Sequence, residues 1–155
     1  MTKFQTIIKL FKINNWIKNL LILIPIFFSI IIPSHQMILE LIILFFIFSL
    51  SASTIYIFND IMDRNTDKFD LIKKNRPIAS GLITLKDSIF IILILMAIIT
   101  IYLILTKNYV LNIFILSYLL INIVYTFFFK KNFFFRRMYL SYILYFKSYY
   151  TCLLF

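Results

Sequence analysis

One cysteine, one histidine, one glycine and six acidic residues in 155 positions narrow the reading before any motif is considered. A lone Cys152 allows neither a disulfide framework nor a thiolate metal site, and it reads as a membrane-buried hydrophobe. The single His35 falls in a short turn between apolar runs and reads as a solvated loop residue. Only 14% of the chain is charged while 63% is hydrophobic, outside the range of soluble domains. A soluble core of this size could not hide so much apolar surface, so an integral membrane protein is expected. No small-residue cleavage site follows the amphipathic start at 3–18, and no cleavable signal peptide is expected. The net charge is +10, yet the cations flank hydrophobic runs and are not interleaved with aromatics on a soluble face. Topology and headgroup contact explain them, and nucleic acid is excluded as an expected partner.

What is present is long apolar sequence. Four runs can cross a bilayer, which takes about 20 helical residues: 16–32, 37–58, 88–106 and 109–129. The fold expected is all-α and integral to the membrane, a bundle of four transmembrane helices. Pro25 should kink the first span, as membrane helices tolerate. Residues 33–36 and Lys107-Asn108 make the first and third turns. Beyond Lys131 the chain becomes an aromatic, Tyr-rich tail in which Lys147 interrupts a fifth span. The chain therefore divides into a membrane domain at 1–131 and a tail at 132–155. Cations gather before the first span, between the second and third, and after the fourth, while the opposite loops hold only Lys107. The positive-inside rule then puts the N-terminus and the loop after the second span in the cytoplasm, on a cytoplasmic (inner) membrane.

Four of the six acids fall within 60–70. On a helix Asp60, Asp63 and Asp67 stand at i, i+3 and i+7 and project from one face, with Asn59 one turn below Asp63. Three carboxylates on one face repel each other unless a cation sits among them. Hard oxygens suit Mg²⁺, which takes one or two carboxylates and completes its shell with water and substrate phosphates. At mid-bilayer each acid would cost about 2.5–3.5 kcal/mol, so the cluster is expected at the interface or facing a polar cavity. A solvated loop in which Asp63 and Asp67 merely balance Arg64 and Lys68 fits the spacing too, and spacing leaves both readings open.

Three further constellations lie on the same side of the membrane. Lys73-Lys74-Asn75-Arg76-Pro77-Ile78-Ala79-Ser80-Gly81 holds the chain's single glycine. Arg76 there can hold phosphate in a bidentate fork and Ser80 can offer a hydroxyl. Trp16-Ile17-Lys18-Asn19 opens the first span, and Tyr125 with Lys130 closes the fourth. Each also reads as a topogenic loop or an interfacial belt when taken alone.

Together these residues resemble the UbiA superfamily of intramembrane prenyltransferases. Its N-D-x-x-D-x-x-x-D motif is matched by Asn59, Asp60, Asp63 and Asp67. The W-x-K-N, R-P-I-A-S-G and Y-x-x-x-x-K segments look most like the decaprenyl-phosphate (polyprenyl-phosphate) phosphoribosyltransferase branch, over about residues 8–131. The resemblance implies an enzyme in which Asp60, Asp63 and Asp67 bind Mg²⁺ and a diphosphate, with Asn59 in support. It makes Lys18, Arg76 and Lys130 phosphate-binding cations and Tyr125 a substrate-cavity residue. The implied reaction is transfer from phosphoribosyl pyrophosphate to a polyprenyl phosphate. The alternatives are an aromatic prenyltransferase of quinone or haem biosynthesis, which takes a prenyl diphosphate lipid, and a non-catalytic membrane protein that binds Mg²⁺ or membrane lipids. Two departures stand out. The family has His-Pro where this chain has Asp70-Leu71, and it carries a second acidic motif where 136–155 contains no acid. A frameshift or premature stop would produce that pattern, and at most trace activity is expected of residues 1–155 alone.

Overall fold

A computed structural model describes residues 3–23, 34–106 and 108–129. Pro25, Lys107, Lys130, Lys131, Cys152 and the tail at 132–155 lie outside the described residues, so the expectations attached to them are not addressed by the structure. Helix α1 is Lys3–Phe11, followed by a 3-10 helix over Ile13–Leu23. Helix α2 runs His35–Asp67 and a 3-10 turn occupies Lys73–Asn75. Helix α3 is Leu85–Leu105, and α4 is Tyr109–Val124, continuing as a π-helical turn over Tyr125–Phe129. Among the described residues every regular element is helical.

Local chemistry sets these boundaries. Ser34 Oγ accepts the Met37 N–H at 3.3 Å where α2 begins. Thr84 caps α3: its Oγ1 accepts the Asp87 N–H at 3.2 Å and donates to the Asp87 carboxylate at 2.7 Å. Asn108 caps α4 by accepting the Leu111 N–H at 3.1 Å. Near the other end of α4, Asn122 donates to the Tyr118 carbonyl at 2.6 Å and Thr126 to the Asn122 carbonyl at 2.8 Å. Side chains that take these carbonyls compete with the backbone ladder, which is where the α-helix gives way to the π turn.

Three helices are long and apolar enough to cross a membrane: His35–Asp67, Leu85–Leu105 and Leu111–Phe128. These are three of the four expected spans; most of the other, 24–32, lies outside the described residues. Of the expected first span only 16–23 is described, and it lies within the 3-10 helix Ile13–Leu23. Asn14, Asn15 and Asn19 are poor α-helix formers there. Helix α3 has 21 residues and is about 30 Å long, matching the hydrocarbon layer. Its apolar side chains are mostly exposed, including Phe90 at 65% and Leu93 at 61%, as a lipid-facing helix requires. Helix α2 has 33 residues, about 50 Å, so it overreaches the layer and carries its acidic end beyond the apolar run.

The described residues fall into two units, one within Met1–Asn15 and Leu50–Lys107, the other within Trp16–Ser49 and Asn108–Phe155. In the first, Leu10, Ile57, Ile78 and Leu95 form the core, with Phe11, Leu50 and Ile61 packed on it. In the second, the Phe48 and Tyr118 rings meet at 5.4 Å between centroids, and buried Asn19 donates to Ser49 Oγ at 3.0 Å.

Candidate functional site

The site is built where α1 ends, α2 overreaches and the following loop folds back. Asp60 is 1% exposed, and its Oδ1 accepts Lys12 Nζ at 2.8 Å and Arg76 Nη1 at 3.1 Å. The same Arg76 nitrogen lies 2.7 Å from Asp67 Oδ2, and Asp67 is 3% exposed. One guanidinium nitrogen thus bridges two buried carboxylates seven residues apart on one helix face. Asp60 and Asp67 therefore share a face, and Arg76 with Lys12 supplies the cations for these two. The solvated-loop reading fails for Asp67, which is buried and pairs with Arg76 instead of balancing Lys68 in solvent.

The loop geometry explains how Arg76 arrives. Asp70 Oδ1 accepts the N–H groups of Ile72 at 2.9 Å and Lys73 at 3.0 Å, turning the chain into the Lys73–Asn75 turn. These two bonds, with Lys73 Nζ 3.5 Å from Oδ2, hold the Asp70 carboxyl below its ordinary pKa. Asp70 stands where the resemblance has histidine, and here it organises the turn. Pro77 then forces Arg76 into extended backbone, observed at φ −66° and ψ 143°. Beyond it Gly81 takes φ +78°, a conformation that other residues resist.

Lys12 is the residue that sequence reading missed, having counted it only among the topogenic cations. It follows the last residue of α1 in a left-handed conformation, φ +50°, where glycine is usual. Ser53 Oγ donates to the Phe11 carbonyl at 2.8 Å, and Lys12 Nζ also sits 5.0 Å from the centre of the Tyr56 ring. No periodicity marks Lys12 out from Lys9 or Lys18; only the packing of α1 on α2 does.

The other expected site residues fall elsewhere. Asn59 and Asp63 are half-buried on the same stretch of α2. Lys18 is exposed on the 3-10 helix and Tyr125 half-buried at the π turn; both belong to the second unit, and the cluster is formed without them. Lys130 lies outside the described residues. For a divalent cation the donor chemistry fits, since Asp60 Oδ2 is a buried carboxylate oxygen with no hydrogen-bond partner. Among the described residues no three metal-ligating side chains converge as they stand. A cation would therefore have to share the carboxylates with Arg76 and Lys12.

Apolar helices of bilayer length, and a buried ion cluster at the end of one that outruns the bilayer, define a multi-pass membrane protein with a polar site at its edge. The chain belongs to the UbiA prenyltransferase family, whose family model matches residues 22–146. The match includes the acidic end of α2 and the Arg76 loop, and it continues past Lys131, where the motif-level resemblance stops. The chain is also similar to "Uncharacterized protein y4nM" of Sinorhizobium fredii (strain NBRC 101917 / NGR234), 33% identical over 86 residues. That stretch is 56% of this chain and 17% of the relative, so the chain spans only a small part of that protein's length.

Proposed function

We propose that this chain serves an intramembrane transferase of the prenyltransferase type, acting on a diphosphate substrate at the acidic end of α2. The observation that carries the proposal is the buried Asp60/Arg76/Asp67 bridge with Asp60 Oδ2 left unpartnered, in a chain of this family. The distribution of Lys and Arg supports a cytoplasmic N-terminus and a cytoplasmic acidic end, in the cytoplasmic membrane.

Within that class we favour phosphoribosyl transfer from phosphoribosyl pyrophosphate to a polyprenyl phosphate. Support comes from Trp16-Ile17-Lys18-Asn19, the Arg76 to Gly81 loop, and Tyr125 with Lys130. Asp60, Asp63 and Asp67, supported by Asn59, would hold Mg²⁺, whose chemistry is to offset the charge of a departing diphosphate. Arg76 exchanges its carboxylates for phosphate oxygens, which match its planar fork. The resemblance assigns Lys18 and Lys130 to phosphate binding and Tyr125 to substrate contact. An oxygen of the lipid phosphate forms a bond to ribose C1 while the C1–O bond to the diphosphate breaks, and surrounding lipid keeps water out.

The test is transfer by the 155-residue chain in lipid nanodiscs with Mg²⁺, scored by radiolabel so that trace product is visible. One reaction holds phosphoribosyl pyrophosphate and polyprenyl phosphate; the other holds prenyl diphosphate and an aromatic acid. Product is expected from the first pair and lost in Asp63→Asn. Product from the second pair alone would move the protein to the aromatic prenyltransferases. Silence in both, with helix content intact, would favour a non-catalytic ion-binding bundle.

A further inference from the structure

The chain that follows Arg76 also lines, with the end of α2, an open pocket of about 460 Å³ within the first unit. Its polar lining is Arg64, Lys68, Ser80 and Thr84, and its apolar lining includes Ile78 and Leu85. Arg64 and Lys68 stand four residues apart, on one side of the end of α2. The structure gives the Arg64 and Lys68 side chains neither an ion pair nor a hydrogen bond to any described residue. The carboxylates that could neutralise them are engaged elsewhere. Asp60 and Asp67 are held by Lys12 and Arg76, Asp70 by the Ile72 and Lys73 N–H groups, and Asp87 by Thr84. Asp63 has an interaction of its own. Cations at the end of a helix also complement its dipole. The dipole explains their sign, but it does not explain a cavity between them and a loop with a hydroxyl turned along it. Ser80 Oγ donates to the Pro77 carbonyl at 3.3 Å, a long bond that a better acceptor would replace.

We propose that this pocket binds a phosphate monoester, separately from the carboxylate cluster. Two cations and a hydroxyl suit a dianionic phosphate, whereas a carboxylate-lined site suits a metal. Pockets for small organic ligands run to about 300–1,000 Å³, so this one holds a phosphate together with the group it is attached to. The phosphate belongs either to a soluble sugar phosphate or to a lipid headgroup. If the transferase reading holds, the pocket keeps the phosphate that does not leave; that use rests on the reading above, whereas the site itself does not.

The experiment uses the 155-residue chain in zwitterionic nanodiscs without divalent metal or diphosphate, so its outcome is independent of transfer chemistry. Ribose 5-phosphate is titrated calorimetrically. In a parallel arm, discs containing phosphatidic acid are followed by phosphorus NMR of the headgroup. The variants are Arg64→Gln with Lys68→Gln, and a control with equal charge loss off the pocket, Lys74→Gln with Lys86→Gln. Circular dichroism verifies the fold of each. Binding in either arm should weaken by at least about tenfold in the pocket variant. The control should change by no more than about twofold. Binding confined to the first arm identifies a soluble phosphate and confined to the second a lipid headgroup. No binding in either arm, or equal weakening in both variants, would overturn the proposal.

Discussion

Arg76 holds the most consequential position in the site. It is the common partner of Asp60 and Asp67, both almost wholly buried, while its own side chain is 28% exposed. Removing it leaves two carboxylates in a poorly solvated place with only Lys12 to answer them. Arg76→Gln should therefore destabilise the protein by about 3 kcal/mol, read as a lower unfolding midpoint in detergent. Asp60→Asn should cost less, because Arg76 keeps Asp67 and the amide oxygen can still accept from Lys12 and Arg76. Mg²⁺ should raise the midpoint of Arg76→Gln more than that of the parent, since the metal then meets carboxylates with no guanidinium to displace; equal shifts would count against those oxygens as metal ligands. At the surface, the N–H groups of Lys73 and Ile72 hold the Asp70 carboxyl below its ordinary value of 3.8. A lowered folded pKa contributes stability above the ordinary value, lost as the pH falls through the lowered one. Carboxyl NMR should show an Asp70 midpoint under 3.8, with the Lys73–Asn75 turn loosening only below it.

At the scale of elements, α2 joins a membrane-spanning role to a site-bearing one. Ser49, Ser51, Ala52, Ser53 and Thr54 are all buried along it, and small residues let neighbouring backbone come close. That closeness lets Ser53 reach the Phe11 carbonyl and brings Lys12 to Asp60. Ser53→Leu would push α1 away and loosen both contacts. It should cost about 1–3 kcal/mol, with faster amide exchange across Lys3–Phe11. Helix α3 depends on its cap. Thr84→Ala removes the acceptor for the Asp87 N–H, costs about 1 kcal/mol, and should speed exchange in the first turn of α3 while leaving its middle unchanged.

For the whole molecule the expectation is an orientation. With the native thiol removed by Cys152→Ser, Lys74→Cys should react with an impermeant maleimide from the cytoplasmic face and Tyr109→Cys from the opposite face. Both positions are exposed, so access depends on sidedness. The reverse pattern would overturn the cytoplasmic assignment of the acidic end and the substrates proposed for it.

The sequence alone determined that this is a helical membrane protein, because so high an apolar content with so few charges admits little else. It also determined which acids share a face, since Asp60, Asp63 and Asp67 follow helical spacing whatever surrounds them. Turn chemistry was legible at Asn108, where the structure starts α4, and at Pro77 and Gly81. The tertiary structure decided what answers those acids. Arg76 lies nine residues beyond Asp67 and Lys12 forty-eight before Asp60, distances at which no local pattern specifies a pairing. The carboxylates were legible because helix geometry is periodic; their cations were not, because ion pairing across a loop depends on where the backbone returns.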